Sequence, residues 1–340
     1  MKEFNIIERF FTGQSQPRHD VIVGVGDDCA ITTVPANQAL ATTTDTLVSG
    51  VHFLADTAPS DIAHKAMAVN LSDLAAVGAI PAWISLALSL EDTDEDWLDE
   101  FSDTIARLCE YYSVNLIGGD TTRGPLSITI TAQGFVPPGS IATRSGAQPG
   151  DLLYVTGSLG DAGAGLDILL NKLDITALTD ISSEEQTAIS QYLVERHHRP
   201  TPRVLSGTSL RRIISSCIDL SDGLRGDIQH IMRASSCGAI INVDALPISS
   251  QLSAAVSVEQ AISYALSAGD DYELCFTLPQ DNTTEFELAM HASNVSYTCI
   301  GQMTGGDQLE LRLHDKPYQP TNLLTAAFEH QFGADPAHTS

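Results

Sequence analysis

The stretch Val114–Asp120 reads VNLIGGD, an apolar run that stops at two glycines and an aspartate. Such a run, bounded by turn residues, predicts a buried β-strand that ends in an acidic loop. The same arrangement recurs in three other runs, which we expect to end at Asp27/Asp28, at Asp45 and at Asp219/Asp222. Segments with helical periodicity separate these runs, and this alternation predicts a mixed α/β fold.

The segment from Ser60 to Gly78 is the clearest of the predicted helices. Ser60 suits the N-cap position, and the carboxylate of Asp61 in the first turn complements the helix dipole. Gly78 suits the end of the helix, because glycine readily adopts the left-handed conformation that ends many helices. A second helix is predicted to open at Thr93, since three acidic residues follow it and apolar residues then recur at helical spacing.

A loop rich in proline and glycine, Val136–Asp151, divides the chain. This composition between regular elements indicates a domain boundary. We therefore expect an N-terminal domain over residues 1–138 and a C-terminal domain over residues 149–332. Hydrophobic residues make up 43% of the sequence, which is enough for a core in each domain.

The composition excludes several classes of protein. The chain has 17 Lys and Arg residues against 43 Asp and Glu residues, and its formal net charge of −26 repels the phosphates of nucleic acids. The sequence contains no run of the ~18 apolar residues that a membrane-spanning helix needs, and its start, MKEFNIIERFF, lacks the apolar region of a signal peptide. The six cysteines form no CxxC pair, so we expect a cytoplasmic protein rather than a disulfide scaffold or a zinc protein.

Asp73 is the most informative single residue of the first predicted helix. On a helical wheel it shares an apolar stripe with Ile62, Ala66 and Val69, so we expect it to be buried. It also lies in the last third of the helix, where the helix dipole disfavours a negative charge. A buried carboxylate needs a hydrogen bond, a salt bridge or a metal ion. The sequence leaves all three open, with Lys65 as the candidate for the salt bridge.

The candidate ligands of the acidic loops are oxygen atoms. The aspartates are accompanied by the hydroxyls of Thr43 and Thr44, and no cluster of Cys or His occurs in the sequence. Hard oxygen ligands favour Mg²⁺, Mn²⁺ or Ca²⁺ over zinc or copper, and Mg²⁺ commonly completes its shell with water and phosphate oxygens. A nucleotide phosphate bridged by metal ions is therefore the expected ligand. The alternative is an acidic surface that only aids solubility.

The usual nucleotide-binding motifs do not occur in this sequence. It contains no GxxxxGK[ST], no GxGxxG that joins a strand to a helix, and neither HRD nor DFG. One glycine-rich segment, Gly157–Gly165, joins a predicted strand to a predicted helix. Its N–H groups could bind phosphate, or its glycines could allow tight packing of the helix on the strand, and the sequence leaves both readings open.

Seven motifs occur in a fixed order along the chain: VGVGDDCA (23–30), TTTDTLVSGVHF (42–53), AVNLSDLAAVGA (68–79), LIGGDTTRG (116–124), TRSGAQPGD (143–151), IDLSDGL (218–224) and AGDDYELCF (268–276). In this order they resemble the thiamine-monophosphate kinase family, which belongs to the aminoimidazole-ribonucleotide synthetase-like superfamily. The match runs from about Phe4 to Phe332. Within the superfamily, GGDTTRG and the segment from Asp45 to Phe53 are typical of the kinase.

This resemblance implies the two-domain fold of the superfamily, in which the N-terminal sheet pairs with that of a second copy in a homodimer. It implies that the N-terminal domain binds ATP and Mg²⁺, and that the C-terminal α/β domain covers the nucleotide and the substrate. It also implies ATP-dependent phosphorylation of thiamine monophosphate to thiamine diphosphate. The transfer would be direct and in line, would use several Mg²⁺ ions, and would involve neither nucleic acid nor a membrane.

The resemblance also implies roles for individual positions. The implied metal ligands are Asp28, Thr43, Thr44, Asp45, Asp73, Asp120, Asp219 and Asp222, among which Asp45, Asp73 and Asp120 are the catalytic positions. ATP contacts are implied for Gly119, Asp120, Arg144 and Ser221. Substrate contacts are implied for His52, Asp270 and Phe328. Asp270 stands where family members often have glutamate, and the ring of Phe328 would face the cationic thiazolium of the substrate.

Two other functions remain open from the sequence. The first is another ATP-dependent synthetase or ligase of the same superfamily, acting on a ribonucleotide or on selenide. The selenide reaction needs a reactive cysteine with a partner lysine near the N-terminus, whereas Cys29 follows the first acidic pair and only Lys2 precedes it. The second is a non-catalytic acidic protein that buffers divalent cations, which would spread its carboxylates evenly instead of gathering them at strand ends.

Overall fold

The computed structural model of the chain describes residues 3–13, 18–92, 94–178 and 181–320. The protein has a mixed α/β fold with two main sheets, as the sequence predicts. Residues 39–136 form a four-stranded sheet and residues 152–317 form a seven-stranded sheet. No helix in the described ranges is long and apolar enough to cross a membrane.

The N-terminal part begins with α1 (Glu3–Ile6), which continues as a π-helix over Ile7–Phe11, and with a two-stranded sheet of β1 (Val21–Val23) and β2 (Ile31–Thr32). The elements that follow are β3 (Ala39–Val48), α2 (Pro59–Ala76), β4 (Ile80–Leu90), α3 (Glu95–Tyr112), β5 (Asn115–Arg123) and β6 (Ser127–Val136). The strand order of the main sheet is β3-β6-β4-β5, in which β4 and β5 are parallel and the other neighbours are antiparallel.

The two faces of the four-stranded sheet differ. One face, here called the helix-covered face, packs against α2 and α3, with Met67 and Leu71 of α2 against Ile84 of β4. The other, here called the open face, carries exposed hydroxyls, and the side chains of Thr44 and Thr131 hydrogen-bond across β3 and β6 at 2.8 Å. Because side chains alternate along a strand, neighbouring residues of β3 point to different environments.

The C-terminal part contains β7 (Leu152–Thr156), α4 (Asp161–Leu169), α5 (Ser183–His198), α6 (Val204–Leu210), β8 (Ser216–Asp219), α7 (Leu224–Ser235), β9 (Gly238–Asn242), α8 (Ser250–Ala255), α9 (Val258–Ser267), β10 (Leu274–Leu278), α10 (Thr283–Ser293), β11 (Tyr297–Thr304), β12 (Leu309–Leu313) and β13 (Lys316–Pro317). Its sheet order is β13-β12-β9-β11-β7-β10-β8, antiparallel except between β12 and β9. Helices α7 and α9 pack on one face of this sheet, and α6 and α10 pack on the other.

Helix α2 contacts both parts of the chain. Its middle lies in the core of the N-terminal part, and Ala75 and Ala76 at its end join the apolar cluster around α6 and α10. The helix begins at Pro59, one residue before the predicted cap, because proline has the right φ for the first helical position. Gly78 follows the helix with a φ of +70°, as predicted from its sequence position. The predicted start of α3 at Thr93 lies outside the described residues, and the side chain of Asp94 caps that helix.

Two strand ends differ from the sequence-based prediction. Strands β3 and β5 each continue for three residues beyond Asp45 and Asp120, which therefore lie within the sheet and not in loops after it. In β5 the glycine pair does not end the strand, and Gly119 permits close pairing with β4. A side chain at Gly119 would place its Cβ 1.8 Å from the carbonyl oxygen of Leu86 in β4, so only glycine fits there.

Candidate active site

Three aspartates from distant parts of the chain meet between the two sheets. They are Asp45 on β3, Asp73 near the end of α2 and Asp219 at the end of β8, and we call them the acidic cluster. Their carboxylates are close enough for the charge of Asp73 to raise the pKa values of both Asp45 and Asp219. Asp73 and Asp219 line a cavity of about 490 Å³, together with Thr43 and Arg144.

Hydroxyl groups donate hydrogen bonds to this cluster. The hydroxyl of Thr43 donates to Asp73 Oδ2, and Ser72 Oγ donates to Asp219 Oδ2 at 2.8 Å. Lys65 forms no salt bridge with Asp73, because its ammonium pairs with Asp270. Of the alternatives that the sequence left open for Asp73, the structure therefore shows the hydrogen bond.

The electrostatics of the acidic cluster are unfavourable without a bound cation. Burial, with a smaller contribution from Asp73, raises the pKa of Asp45 to about 6, and burial followed by the charge of Asp73 raises the pKa of Asp219 to about 7. Burial also raises the pKa of Asp73, although the hydrogen bond from Thr43 and the charge of Arg144 oppose this shift. No lysine or arginine forms an ion pair with these carboxylates within the described ranges. Such a group of carboxylates, with Asp219 buried and Asp45 and Asp73 half-buried, attracts divalent cations.

The donor set of the acidic cluster fits Mg²⁺, since it consists of carboxylate and hydroxyl oxygens. Among the described residues, no group of three or more His, Cys, Asp or Glu side chains is arranged around one metal position. Mg²⁺ does not require such a group, because it is usually held by one or two carboxylates and completes its octahedron with water and phosphate. The cluster thus suits metal ions that arrive with an anionic ligand.

A second acidic cavity, of about 420 Å³, lies at the β5 edge of the four-stranded sheet. It is lined by Asp27, Asp28, Gly119 and Asp120, together with apolar residues of the N-terminal helical segment. Asp28 lies in the loop between β1 and β2, and its side chain is exposed. The structure therefore brings Asp28, Gly119 and Asp120 together at this edge, apart from the acidic cluster.

The pairing register separates Asp120 from the acidic cluster. Asp120 pairs with Ala87 of β4, Ala87 with Thr129 of β6, and Thr129 with Thr46 of β3. Three strand spacings of ~4.8 Å therefore place Asp120 about 14 Å from the middle of β3. This row of residues points to the open face, as does Thr44, whereas Asp45 points to the helix-covered face. Within one chain, Thr44 and Asp120 thus lie apart from the acidic cluster.

The loop after β8 carries the remaining acidic position. Asp222 follows Ser221 at the start of α7, and its backbone N–H donates to Asp227 Oδ2 at 3.1 Å. Asp227 was not among the site residues predicted from the sequence. It is buried, and burial raises its pKa to about 8, with further contributions from Asp222 and Asp219. Its sequence signal was its position in line with the apolar residues of α7, which is the same signal that identified Asp73.

Two of the positions with implied substrate contacts, His52 and Asp270, lie beside Lys65 in the N-terminal half of α2. His52 Nδ1 accepts a hydrogen bond from the backbone N–H of Val48 at 3.0 Å, which fixes the loop after β3. Asp270 precedes β10, and its carboxylate accepts hydrogen bonds from Lys65 at 2.9 Å and from the Tyr272 hydroxyl at 3.2 Å. Phe328 lies outside the described residues.

The glycine-rich segment Gly157–Gly165 serves packing. A Cβ at Gly157 would lie 2.1 Å from Oε1 of Glu273, and a Cβ at Gly165 would lie 2.1 Å from the carbonyl oxygen of Leu193. The N–H of Gly160 already donates to the carboxylate of Asp271, at 2.8 Å to Oδ2. The segment therefore shows the packing role that the sequence left open, and this N–H is not available to a phosphate.

The chain is similar to known proteins over most of its length. Residues 26–136 match the model of the N-terminal domain of the AIR synthase related proteins, and residues 148–314 match that of the C-terminal domain. A thiamine-monophosphate kinase of Escherichia coli strain K12 is 54% identical over 328 residues, which covers 96% of this chain and 98% of that protein.

Solved structures agree with this relationship. The crystal structure of thiamine-monophosphate kinase from Stenotrophomonas maltophilia K279a has a TM-score of 0.79 and 42% sequence identity, and the match covers 86% of this chain and 92% of that one. A structure described as AaThiL complexed with AMPPCP and TMP has a TM-score of 0.70 and 30% identity, with coverage of 85% and 87%. These similarities confirm both the fold and the resemblance found in the motifs. The chain belongs to the thiamine-monophosphate kinase family of the AIR synthase related proteins.

Proposed function

We propose that this protein transfers the terminal phosphoryl group of ATP to thiamine monophosphate, which yields thiamine diphosphate and ADP. Curated relatives at 46–54% identity over nearly the full chain are named thiamine-monophosphate kinase. The related structure described as complexed with AMPPCP and TMP supports a nucleotide and a phosphorylated acceptor as the two ligands. Within this chain the proposal is carried by the acidic cluster, whose charge lacks a Lys or Arg partner among the described residues.

Mg²⁺ is the cofactor that we infer from this cluster. Asp45, Asp73 and Asp219 would each contribute to holding Mg²⁺ ions on the helix-covered face, with one or two carboxylates per ion and the hydroxyl of Thr43 beside them. The other implied ligands, which are Asp28, Thr44, Asp120 and Asp222, belong to the proposal on the resemblance alone. When bound, the ions neutralise the phosphates of both ligands and stabilise the charge that spreads during phosphoryl transfer.

The residues of the chain bind and align the two ligands. The acceptor is a phosphate oxygen that is already anionic near neutral pH, so no residue is needed as a general base. Arg144 lies beside Asp73 and Asp219 at the cavity and can donate two parallel hydrogen bonds to a phosphate. Gly119, Asp120 and Ser221 remain the proposed ATP contacts. His52 and Asp270 would hold the acceptor, since alignment of the reacting groups supplies much of the rate in such reactions.

The two-domain organisation and the oligomeric state are part of the same proposal. Residues 1–138 would form the ATP- and Mg²⁺-binding domain, and residues 149–332 would cover the nucleotide and the substrate. The open face of the four-stranded sheet would pair with that of a second copy in a homodimer in the cytoplasm. Its Thr-rich surface and the position of Asp120 at the opposite edge from Asp45 support this arrangement. Sedimentation of the wild type and of Thr129→Arg tests it, because a large charge on the open face should give monomers.

The function is tested by incubation of the protein with ATP, Mg²⁺ and thiamine monophosphate, followed by detection of thiamine diphosphate. We expect product formation that depends on all three components and disappears with a chelator. A parallel panel of acceptors tests the alternative of another superfamily reaction. Transfer to an aminoimidazole precursor without transfer to thiamine monophosphate would refute the proposal. Binding of Mg²⁺ without consumption of ATP would instead indicate a cation-buffering protein.

A further inference from the structure

One buried lysine contacts both of the described residues for which a substrate contact is proposed. Lys65 lies on α2 with a side chain that is only 3% exposed. Its Nζ donates to Asp270 Oδ2 at 2.9 Å and to the carbonyl oxygen of His52 at 3.3 Å. Lysine is almost never buried to this extent unless it is paired. Because His52 belongs to the N-terminal part and Asp270 to the C-terminal part, Lys65 joins the two halves of the proposed acceptor site.

Lys65 makes the largest favourable contribution to the charge of Asp270 among its described neighbours. His197 Nδ1 lies 3.5 Å from the same carboxylate oxygen, but burial, followed by the charge of Lys65, lowers the pKa of His197 to about 3, so its ring is neutral. Burial acts to raise the pKa of Asp270, and the charge of Lys65, with smaller contributions from His197 and the Tyr272 hydroxyl, holds it below the usual value. The carboxylate therefore stays ionised, and its side chain remains 30% exposed.

The backbone around Asp270 also needs support. Asp270 has a φ of +67° and Tyr272 a φ of +49°, which is the left-handed region that side chains other than glycine seldom adopt. The Tyr272 hydroxyl donates to Asp270 Oδ1 at 3.2 Å, and the N–H of Asp270 donates to the carbonyl oxygen of Ser221 at 2.9 Å. The ion pair with Lys65 thus fixes a loop that is itself bonded to the proposed nucleotide loop.

Helix α2 sets the distance between this ion pair and the acidic cluster. Lys65 and Asp73 are eight residues apart, which corresponds to about 12 Å along the helix axis. Tyr272, which contacts Asp270, also feels the charges of Asp219 and Asp45, so the two regions are neighbours. Helix α2 therefore holds Lys65 at the proposed acceptor site and Asp73 at the proposed nucleotide site.

We propose that Lys65 is a positioning residue that holds Asp270 in place for contact with the positively charged thiamine part of the acceptor. Lys65 acts through Asp270 and does not touch the reacting phosphates. The inference rests on the proposed function, because it assigns Asp270 to the acceptor. It predicts that loss of the ammonium weakens use of thiamine monophosphate while use of ATP is retained.

The test replaces Lys65 by methionine, which keeps the length of the side chain and removes its charge. Steady-state kinetics should show an increase of at least about tenfold in KM for thiamine monophosphate, with KM for ATP and kcat within about threefold of the wild type. The matched control is Lys172→Met, since that side chain is 65% exposed and 4.0 Å from its acidic neighbour. This control should leave all three constants unchanged.

The double variant Lys65→Met/Asp270→Asn distinguishes positioning from general stabilisation, because it removes both charges and leaves neither unpaired. If Lys65 acts through Asp270, the double variant should use thiamine monophosphate no worse than Asp270→Asn alone, since contacting residues do not act additively. Effects that multiply, an unchanged KM for thiamine monophosphate in Lys65→Met, or equal increases in both KM values would each overturn the inference. The wild type tests the function separately, because it must form thiamine diphosphate whatever the variants do.

Discussion

The acidic cluster differs from a group of buried charged residues in the C-terminal part. The difference lies in whether each negative charge has a positively charged partner. In the second group, here called the ion-pair network, Glu273 is fully buried and accepts hydrogen bonds from Arg203 Nε at 2.6 Å and from Arg196 at 3.1 Å. Arg196 also lies 3.7 Å from Asp161, which is buried at the start of α4. In the acidic cluster, by contrast, the charge of Asp73 raises the pKa values of Asp45 and Asp219, and Arg144 is the nearby cation.

This difference distinguishes charged residues that stabilise the fold from charged residues that bind a ligand. A buried carboxylate that is paired with arginine and hydrogen-bonded holds neighbouring elements together, and removal of one partner leaves an uncompensated charge. Buried carboxylates that repel one another lower stability, and such groups occur mainly where a ligand completes the site. The comparison predicts that substitutions in the acidic cluster change activity and that substitutions in the ion-pair network change stability.

The largest expected effect on activity is that of Asp73→Asn. Asparagine keeps the shape and can still accept the hydrogen bond from Thr43, but it removes the charge that we propose holds the cation. We expect kcat to fall by more than about a thousandfold, or about 4 kcal/mol in the barrier. The melting temperature in chelator should stay the same or rise, because repulsion is relieved. Activity like that of the wild type would remove Asp73 from the site.

Glu273→Gln should show the opposite behaviour. It leaves the buried charges of Arg196 and Arg203 without their main partner, so we expect a loss of about 3–5 kcal/mol in the free energy of unfolding. Denaturant unfolding measures this loss, with Glu310→Gln as the matched control because Glu310 forms an exposed pair with Arg312. The control should leave the stability close to that of the wild type, because solvent screens an exposed ion pair. Equal effects of the two variants would contradict the distinction between the two groups.

Asp120→Ala tests the separate cavity at the β5 edge. Asp120 is exposed and lies away from the acidic cluster, so its loss should leave the core intact. As a proposed metal ligand, its loss should weaken metal binding. We expect the Mg²⁺ concentration for half-maximal activity to rise by about tenfold, which corresponds to about 1.4 kcal/mol. A Mg²⁺ titration measures it, and Asp103→Ala on the exposed face of α3 is the control. An unchanged titration would show that Asp120 does not act through metal.

Asp270→Glu should have the smallest effect. Asp270 combines both properties, since it is paired like the ion-pair network yet partly exposed beside the acidic cluster. Glutamate keeps the charge and extends the carboxylate by one methylene, so we expect KM for thiamine monophosphate to change only a few-fold, or by less than about 1.4 kcal/mol. Complete loss of turnover would instead indicate a direct role in the chemistry.

The sequence pattern was enough to predict features that depend on a single helix or strand. Helical periodicity alone places Asp73 on an apolar stripe, and the structure confirms the helix, with Gly78 just after its end. The expectation that Asp73 is buried is only partly met, because its side chain lines the cavity beside Thr43 and Arg144 and stays half-buried. The fold class was predictable because apolar runs and amphipathic segments alternate. The motifs then identified the family, which the comparisons confirm.

Features that depend on contacts between distant elements were not predictable. The strand that contains Asp45 was expected to stop there, but pairing with β6 extends it to Val48. Because side chains alternate along a strand, Thr43 and Thr44 must lie on opposite faces of β3. Only the strand pairing shows which residues pack against each face. The pairing of Lys65 with Asp270 joins residues 205 positions apart, so local sequence favoured Asp73 as the partner instead.

Helix α2 belongs to the apolar clusters of both sheets, and this affects how the protein unfolds on heating. Small side chains such as Ala75 and Ala76 let the end of this helix enter the apolar cluster of the second sheet, while Met67 and Leu71 anchor its middle beneath the first. Neither sheet can lose its packing without exposing part of the same helix. We therefore expect differential scanning calorimetry to record one cooperative transition rather than two separate peaks, with the amides of α2 among the slowest to exchange with deuterium.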